Sequence, residues 1–170
     1  LGASDDPVKI GGRPLAFLLR YQYAGKVYPV NPSRTTVQGL PAFASISDVP
    51  APVDLAVVVV PAEAVEPALE AAAVHGVRAA IVFSSGFAEV GGAGREAQAR
   101  LTALAHRTGL RIVGPNCQGI AHHRRPVEGD AGGTIDWQAG VALPQATEFP
   151  PHQVFQCRPL TGHIAQDDAQ

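Results

Sequence analysis

The sequence predicts an α/β protein built on an open parallel sheet with flanking helices. Residues 55–60 (LAVVVV) form a continuous apolar run rich in β-branched side chains. Such a run is typical of a strand buried on both faces of a parallel sheet. Two more β-type runs follow, residues 79–83 (AAIVF) and 111–113 (RIV), and stretches with helical character lie between the three. This alternation of strand and helix predicts a parallel sheet joined by right-handed crossovers.

Other elements follow from local patterns. A further strand is predicted at residues 26–30 (KVYPV), ending at Asn31-Pro32. Helices are predicted at residues 12–23, 67–75 and 95–108. The second helix has Pro67 in a first-turn position and Gly76 as its stop, and Gly109 closes the third.

Two features depart from this pattern. The glycine-rich segment 2–12 (GASDDPVKIGG) should follow a strand, of which the sequence includes only Leu1, so the first strand is expected to be missing. From His122 onward no period of 2 or 3.6 is sustained. We therefore expect a domain over residues 1–121 and an irregular tail over residues 122–170, with a short strand at 140–143.

Composition narrows the functional classes. The chain has 170 residues, of which 46% are hydrophobic and 16% charged, as is ordinary for a globular domain with a real core. Its net charge of -2 argues against nucleic-acid or membrane partners. No apolar run approaches a membrane span, the first seven residues do not read as a signal peptide, and Cys117 and Cys157 are isolated. A cytoplasmic location is expected.

The first candidate ligand loop is the segment 2–12, called the glycine loop below. Ligands of open α/β sheets bind at the carboxyl ends of the strands. Gly11 and Gly12 keep side chains away from a helix N-terminus, where N–H groups favour phosphate, while Ser4 and Lys9 add a hydroxyl and a positive charge. The alternative is a tight turn that binds nothing. The spacing does not match GxGxxG, so a dinucleotide fingerprint is not supported.

Two more loops follow predicted strands. After residues 26–30 come Asn31, Pro32, Ser33 and Arg34. Pro32 fixes the turn, and Arg34 is suited to hold a phosphate with two parallel hydrogen bonds, the alternative being a solvated loop arginine. After residues 55–60 the small apolar stretch Val60, Pro61 and Ala62 suits the flat face of a base or a thin apolar chain, or is simply a turn.

The last two loops carry hydroxyl, amide and thiol groups. Ser84, Ser85 and Gly86 come directly after residues 79–83, and Asn116 and Cys117 lie in the loop that opens at Gly114. Cys117 invites a nucleophile interpretation, but no base is identifiable near it in sequence, so we favour a packing role. No catalytic residue and no metal ligand is assigned to the chain.

Five motifs in order carry a family resemblance: GASDDPVKIGG, KVYPVNPSR, DLAVVVVPAEAV, GVRAAIVFSSGFAEVG and GLRIVGPNCQGI. Together they resemble the CoA-binding domain of NDP-forming (ADP-forming) acyl-CoA synthetases, including acetate–CoA ligases and the succinyl-CoA synthetase α subunit. The resemblance covers residues 1–121. It implies a Rossmann-like domain that binds CoA as a substrate.

The resemblance also implies roles for the loops. The glycine loop with Ser4 and Lys9 would face the CoA phosphates, and Arg34 would pair with one of them. Val60, Pro61 and Ala62 would line the adenine and pantetheine path, and Ser84, Ser85 and Gly86 would contact CoA. Asn116 and Cys117 would lie near the reactive thiol.

In that family a phosphorylated histidine and an ATP-grasp domain complete the reaction of acid, CoA and ATP to acyl-CoA, ADP and phosphate. Neither is visible in this sequence, so ATP and ADP are expected to bind only elsewhere, and an ATP-grasp subunit or domain is the expected partner, with oligomers allowed. A truncated module that is not catalytic alone is therefore predicted. The alternatives are a stand-alone NAD(P)-binding or regulatory nucleotide module, with Arg34 on a 2′-phosphate, and a fragment without function.

Overall fold

A computed structural model describes residues 1–50 and 52–117 of the chain. The helices and strands, in chain order, are α1 (Arg13–Arg20), β1 (Thr36–Val37), β2 (Leu40–Pro41), β3 (Leu55–Val58), α2 (Ala62–Val74), β4 (Ala79–Val82), α3 (Gly92–Thr108) and β5 (Arg111–Val113). Short 3₁₀ turns lie at Ile46–Asp48 and Ala88–Val90. The predicted tail and its strand at 140–143 fall outside the described residues.

The main sheet confirms the predicted fold class. Its three strands are parallel and stand in the order β3–β4–β5, with Leu55 opposite Ala79 and Ala79 opposite Arg111. Because neighbouring strands are consecutive and parallel, α2 and α3 serve as the crossovers. Apolar side chains from the sheet and both helices form one core, which includes Val58, Val65, Leu69, Val82, Phe87, Leu104 and Ile112.

The helix limits differ from the prediction at their N-terminal ends. The helix α2 begins at Ala62 rather than at residue 67, and Pro67 lies inside it. Pro67 is exposed and close to the start, so the hydrogen bond it removes is confined to the early turns. The helix α3 begins at Gly92, three residues before the predicted start. The predicted stops are confirmed: Gly76 has φ +89° and Gly109, with φ +73°, is the left-handed cap of α3.

The remaining limits are shorter than predicted. The helix α1 ends at Arg20 rather than at residue 23. The strand β3 ends at Val58 rather than at residue 60, and β4 ends at Val82 rather than at residue 83. The last predicted strand residues therefore lie in the loops at the carboxyl edge of the sheet.

The predicted strand at residues 26–30 is wrong in extent. Val30 alone forms a β-bridge, parallel to Phe43, through Asn31 N–H to Phe43 O and Phe43 N–H to Pro29 O, both 2.9 Å. A strand needs a partner along its length, and the segment 26–29 has none among the described strands. The hairpin of β1 and β2 was not predicted. Its turn residues, Gln38 and Gly39, both have positive φ, which is the type I′ turn that matches hairpin twist.

Leu1 occupies a strand position beside β3. Its amino group donates to Val57 O at 2.6 Å and its carbonyl accepts from Val59 N–H at 3.0 Å, the pattern of a residue paired in parallel with Val58. On its other side, Gly2 N–H and Ala3 N–H both donate to Val30 O, at 3.0 and 3.1 Å. Leu1 and Gly2 thus join the segment around Val30 to the main sheet.

A groove continues from Leu1 along the sheet. It has a volume of about 450 Å³ and is lined by Val27, Tyr28 and Pro29 on one side, by Leu55 and Val57 on the other, and by Leu15 and Leu18 of α1. Val58 O faces β4, where it accepts from Phe83 N–H, whereas Val57 O faces Leu1. Because successive strand residues face opposite sides, Leu55 presents its backbone groups to the groove. The groove is therefore lined by apolar side chains and by backbone groups of Leu55.

No described helix is both long enough and apolar enough to cross a bilayer.

Burial of the Leu1 amino group makes a testable prediction about pH. Burial lowers the pKa of this group from its ordinary value of 8.0 to about 6. Between those values the folded state holds the neutral amine, whereas the unfolded state binds a proton. The free energy of unfolding of a chain that begins at Leu1 should therefore rise between pH 6 and pH 8 by up to about 2.7 kcal/mol, at about 1.36 kcal/mol per pKa unit. Urea unfolding at the two pH values measures this rise.

Two extensions ahead of Leu1 serve as controls. A Gly-Ser-Gly extension replaces the ammonium by an uncharged N–H, so it should remove the part of the pH dependence that belongs to Leu1. An Ile-Val-Val extension should do the same and also add a few kcal/mol by burying apolar side chains in the groove. An unchanged pH slope in both extended chains would contradict this account of Leu1.

Candidate functional site

All five predicted loops meet at the carboxyl edge of the sheet. Hydrogen bonds join them in two groups. In one group, Asn31 Nδ2 donates to Ala3 O at 2.8 Å, which ties the loop after Val30 to the glycine loop. In the other, Ser84 Oγ donates to Val60 O at 2.5 Å, and Asn116 N–H donates to Ser84 O at 2.9 Å. The predicted convergence of these loops is confirmed.

The glycines of the first loop serve its own packing. A Cβ on Gly12 would lie 1.9 Å from Asp6 O, and one on Gly11 would lie 2.6 Å from Gly2 O. Both positions therefore exclude a side chain before any ligand is considered. Gly2, with φ +77°, packs in the same way on Val59 O, so it connects the two groups of loops.

The N-terminus of α1 offers fewer donors than the sequence predicts. Gly12 N–H and Arg13 N–H both donate to Lys9 O, at 2.9 and 3.0 Å, and Pro14 has no N–H. A phosphate at this end would therefore be held mainly by side chains and by the helix dipole, rather than by a row of unpaired amides.

Two positively charged side chains lie near the N-terminus of α1. Lys9 and Arg34 are both exposed at this end of the site. The Arg34 guanidinium lies 3.8 Å from the Asp5 carboxylate, and about half of each side chain is exposed. This ion pair is in solvent, so it contributes little to stability and leaves the guanidinium accessible to an anion. Arg13 is turned back on the loop, with Nε donating to Val8 O at 2.9 Å.

The loop after Val30 is preorganised by Asn31. Its side-chain oxygen accepts from Ser33 N–H at 2.8 Å while its Nδ2 holds Ala3 O. Pro32 and Ser33 are exposed. Both the oxygen and the nitrogen of the Asn31 side-chain amide are therefore used in hydrogen bonds within the protein. These bonds fix the backbone of the loop that carries Arg34.

The apolar stretch after β3 flanks the centre of the site. Val60 and Ala62 are half-buried and Pro61 is exposed. Ala62 opens α2, and its Cβ lies 3.0 Å from where a Cβ of Gly86 would be. The stretch after β3 and the loop after β4 are thus in van der Waals contact, and Gly86, with φ +102°, is needed at that contact.

The two serines after β4 have different environments. Ser84 is buried and its hydroxyl is committed to Val60 O, whereas Ser85 is exposed. Ser85 therefore has the hydroxyl that can reach a ligand. Gly86 N–H donates to Glu89 Oε1 at 2.6 Å. Partial burial would raise the pKa of Glu89, but nearby backbone N–H groups, above all that of Gly86, stabilise the carboxylate and hold that pKa below its ordinary value.

In the loop after β5 the side-chain amide of Asn116 is exposed, whereas the thiol of Cys117 is buried. Asn116 is exposed and has φ +54°, a conformation that Asn tolerates better than most residues. Cys117 is 4% exposed, and its Sγ donates to Val82 O at 3.4 Å. A thiol that is buried against a backbone carbonyl has the environment of a packing residue, which supports the structural interpretation.

Three residues of the site were missed or given a smaller role in the sequence interpretation. Asp5 pairs with Arg34, Glu89 takes the Gly86 amide, and Gln38 contacts the glycine loop from the β1–β2 turn. Gln38 and Gly39 between Val37 and Leu40 were a usable turn signal. Asp6 forms a turn within the glycine loop, since its Oδ1 accepts from Val8 N–H at 2.9 Å.

These features define an open α/β domain whose carboxyl-edge loops form a candidate ligand site, positive at one end and apolar at its centre. The pattern of the CoA binding domain family matches residues 1–123, which is most of the chain. The chain belongs to this family.

Similar proteins agree with this assignment. The chain is 42% identical over 120 residues to the α subunit of the ADP-forming acetate–CoA ligase II of Pyrococcus furiosus, covering 71% of this chain and 26% of that protein. It is 35% identical over 123 residues to a trans-feruloyl-CoA synthase from an unknown prokaryotic organism, covering 72% and 17%. The chain thus spans about a quarter or less of the length of these relatives.

A solved structure has the same fold. The dinucleotide-forming acetyl-coenzyme A synthetase 1 of Candidatus Korarchaeum cryptofilum, in complex with phosphate and ADP, matches with a TM-score of 0.65 and 44% identity. The match covers 69% of this chain and 25% of that one. The Rossmann-like fold expected from the resemblance is therefore shown.

The different environments of Ser84 and Ser85 predict different costs of substitution. Ser84→Ala removes the hydroxyl that satisfies Val60 O in a buried place, so it should lower the free energy of unfolding by about 1 kcal/mol. Ser85→Ala, the matched control on the exposed neighbour, should change it by less than about 0.5 kcal/mol. Urea unfolding of both variants tests this, and equal effects would contradict the structural role of Ser84.

Proposed function

We propose that this chain is the CoA-binding module of an ADP-forming acid–CoA ligase. The supporting observation is the positive end of the carboxyl-edge site, where Lys9 of the glycine loop and Arg34 of the neighbouring loop are both exposed in a domain of the CoA-binding family. CoA carries a diphosphate and a 3′-phosphate, and guanidinium groups bind phosphate through paired hydrogen bonds. In this proposal Arg34 contacts a CoA phosphate, with Ser4 and Lys9 near the others.

The rest of the ligand follows the edge of the sheet. The adenine and pantetheine groups are proposed to lie along Val60, Pro61 and Ala62, where the surface is apolar. Ser85 supplies a hydroxyl beside this path, and Gly86 allows close approach of the backbone. Asn116 is proposed to face the thiol end, because it is exposed in the last loop along the edge. Ser84 and Cys117 support the site from beneath, since both are buried.

We further propose that the complete enzyme joins a carboxylic acid and CoA with cleavage of ATP to ADP and phosphate. The names of the relatives support this reaction class, since both make a CoA thioester and the acetate–CoA ligase is ADP-forming. The two relatives differ in their acid, acetate in one and ferulate in the other. The acid is therefore proposed to be chosen by other parts of the enzyme. The chain of 170 residues alone should show no acyl-CoA synthesis, as measured by ATP-dependent thioester formation.

Thermal stabilisation tests CoA binding directly. CoA, dephospho-CoA, NADPH and NAD are added to the purified chain at equal excess, and the unfolding midpoint is measured. A ligand at about 100 times its dissociation constant stabilises the native state by about 2.7 kcal/mol. We expect the largest shift with CoA and a smaller one with dephospho-CoA. A shift with NADPH and none with CoA would overturn the proposal in favour of a nicotinamide dinucleotide site.

Arg34→Ala should weaken CoA binding about tenfold, because a charged hydrogen bond to phosphate is lost. The matched control is Arg20→Ala, which removes the same charge at the far end of α1. Calorimetric titration of both variants measures the difference. If Arg20→Ala weakens binding as much as Arg34→Ala does, the effect is one of net charge, and the phosphate contact of Arg34 is refuted.

Asp5→Asn should have the opposite effect. The Asp5 carboxylate competes with phosphate for Arg34, and an exposed ion pair is worth up to about 1 kcal/mol. The substitution keeps an oxygen that can accept from Gln38 N–H while removing the charge. CoA affinity should therefore rise by up to about fivefold at low salt, and the gain should shrink as salt is added. A loss of affinity would contradict this competition.

A further inference from the structure

We propose that Gln38 is a positioning residue of the CoA site, which fixes the glycine loop and the counter-ion of Arg34. This inference rests on the proposed function, because the loop that Gln38 holds is the proposed phosphate-binding loop. Gln38 lies on the β1–β2 turn, outside every segment to which a ligand contact has been assigned above.

The side chain of Gln38 closes the glycine loop. Its Nε2 donates to Ser4 O and to Gly12 O, both at 2.9 Å. A side-chain amide has two N–H donors, so both are used. One bond reaches the beginning of the loop and the other its end, where α1 starts. Gln38 therefore bridges Ser4 and the N-terminus of α1, alongside the backbone bond from Ser4 N–H to Gly11 O.

The backbone of Gln38 holds the acidic partner of Arg34. Its N–H donates to Asp5 Oδ1 at 2.7 Å, while Asp5 Oδ2 lies 3.8 Å from Arg34. The carboxylate is thus fixed by the turn on one side and faces the guanidinium on the other. The same residue orders the loop and places the charge that competes with phosphate.

The conformation of Gln38 indicates that its side chain is needed. Its φ is +46°, a region in which Gly and Asn are preferred. Asn would suit the turn better, but its shorter side chain has less reach toward the two carbonyl oxygens. Val37 next to it is fully buried and Gly39 has φ +82°, so the turn is anchored. A strained residue that makes long-range contacts points to a specific role.

Removing the donors would disturb the phosphate end. Ser4 O and Gly12 O converge on the Gln38 amide, and without it each carbonyl must find water. The loop would then reorient, and Ser4 and Lys9 would move with it. Ligands that contact the phosphate loop should therefore lose affinity although Gln38 itself contacts no ligand.

The test uses Gln38→Met, which keeps the length of the side chain and removes both donors. Gln22→Met is the matched control, since Gln22 has nearly the same backbone conformation, φ +52°, and is exposed. Gln38→Gly is the second variant, because it removes the side chain while relieving the strain at positive φ. We expect its unfolding midpoint to stay near that of the wild type, so its binding is measured on a folded chain.

Calorimetric titration with CoA is the first readout. Both Gln38 variants should bind CoA about tenfold more weakly, in line with the loss of two hydrogen bonds, and Gln22→Met should bind as the wild type does. Unchanged CoA affinity in Gln38→Met and Gln38→Gly would overturn the positioning role.

Amide hydrogen exchange without ligand is the second readout, and it separates this inference from the proposed function. Ser4 N–H and Gly12 N–H are bonded within the loop, to Gly11 O and Lys9 O. Their exchange should accelerate about tenfold in Gln38→Met, while amides of β4 keep the wild-type rate. If the wild type does not bind CoA but the Ser4 and Gly12 amides exchange faster in Gln38→Met, the proposed function fails, whereas the role of Gln38 in ordering the glycine loop stands. If the exchange rates of the loop amides do not change in Gln38→Met, the inference fails regardless of the CoA affinity.

Discussion

The hydrogen bonds of Leu1 with β3 are the constraint on which the site depends. Leu1 bonds to both Val57 and Val59, and the next two residues bond to Val30. The glycine loop therefore leaves the sheet at its carboxyl edge, directly beside the loop that bears Arg34. Gly2 packs on Val59 without room for a side chain, so the path of the chain at this point has little freedom. The packing of Gly2 on Val59 and Val60 thus connects the two groups of loops.

The sequence predicted the central strands well because burial determines them. The runs at 55–60 and 79–83 are apolar throughout, and a strand covered on both faces requires such composition. The segment 26–30 (KVYPV) also contains β-type residues, two valines and a tyrosine, yet it has only a bridge at Val30. Composition indicates that a segment can adopt a strand conformation. A strand forms, however, only where a neighbouring segment provides hydrogen-bonding partners. The start of α2 was misplaced because Pro67 suits a first turn, but an exposed proline in the early turns of a helix is also accommodated.

The loops of the candidate site were predicted, but which of their residues serve packing and which are exposed to a ligand was not. Glycine and serine are typical both of ligand loops and of tight packing, and sequence does not separate the two. Gly12 is required because a side chain there would clash with Asp6 O, and the Ser84 hydroxyl is used in a hydrogen bond to Val60 O. Gln38 was missed because its contacts lie more than twenty residues away along the chain. Long-range side-chain hydrogen bonds have no local pattern, so they become visible only in three dimensions.

The sequential order β3–β4–β5 has a consequence for how the domain assembles. Each strand pairs with the next one along the chain, across a single helix, so this half of the fold is made of contacts that are near in sequence. The bond between Leu1 and Val57 instead closes a separation of 56 residues. Near contacts form at lower entropic cost than distant ones, so we expect residues 55–113 to fold first. Residues 1–43, which reach the sheet through these distant contacts, are then expected to order last and to open first.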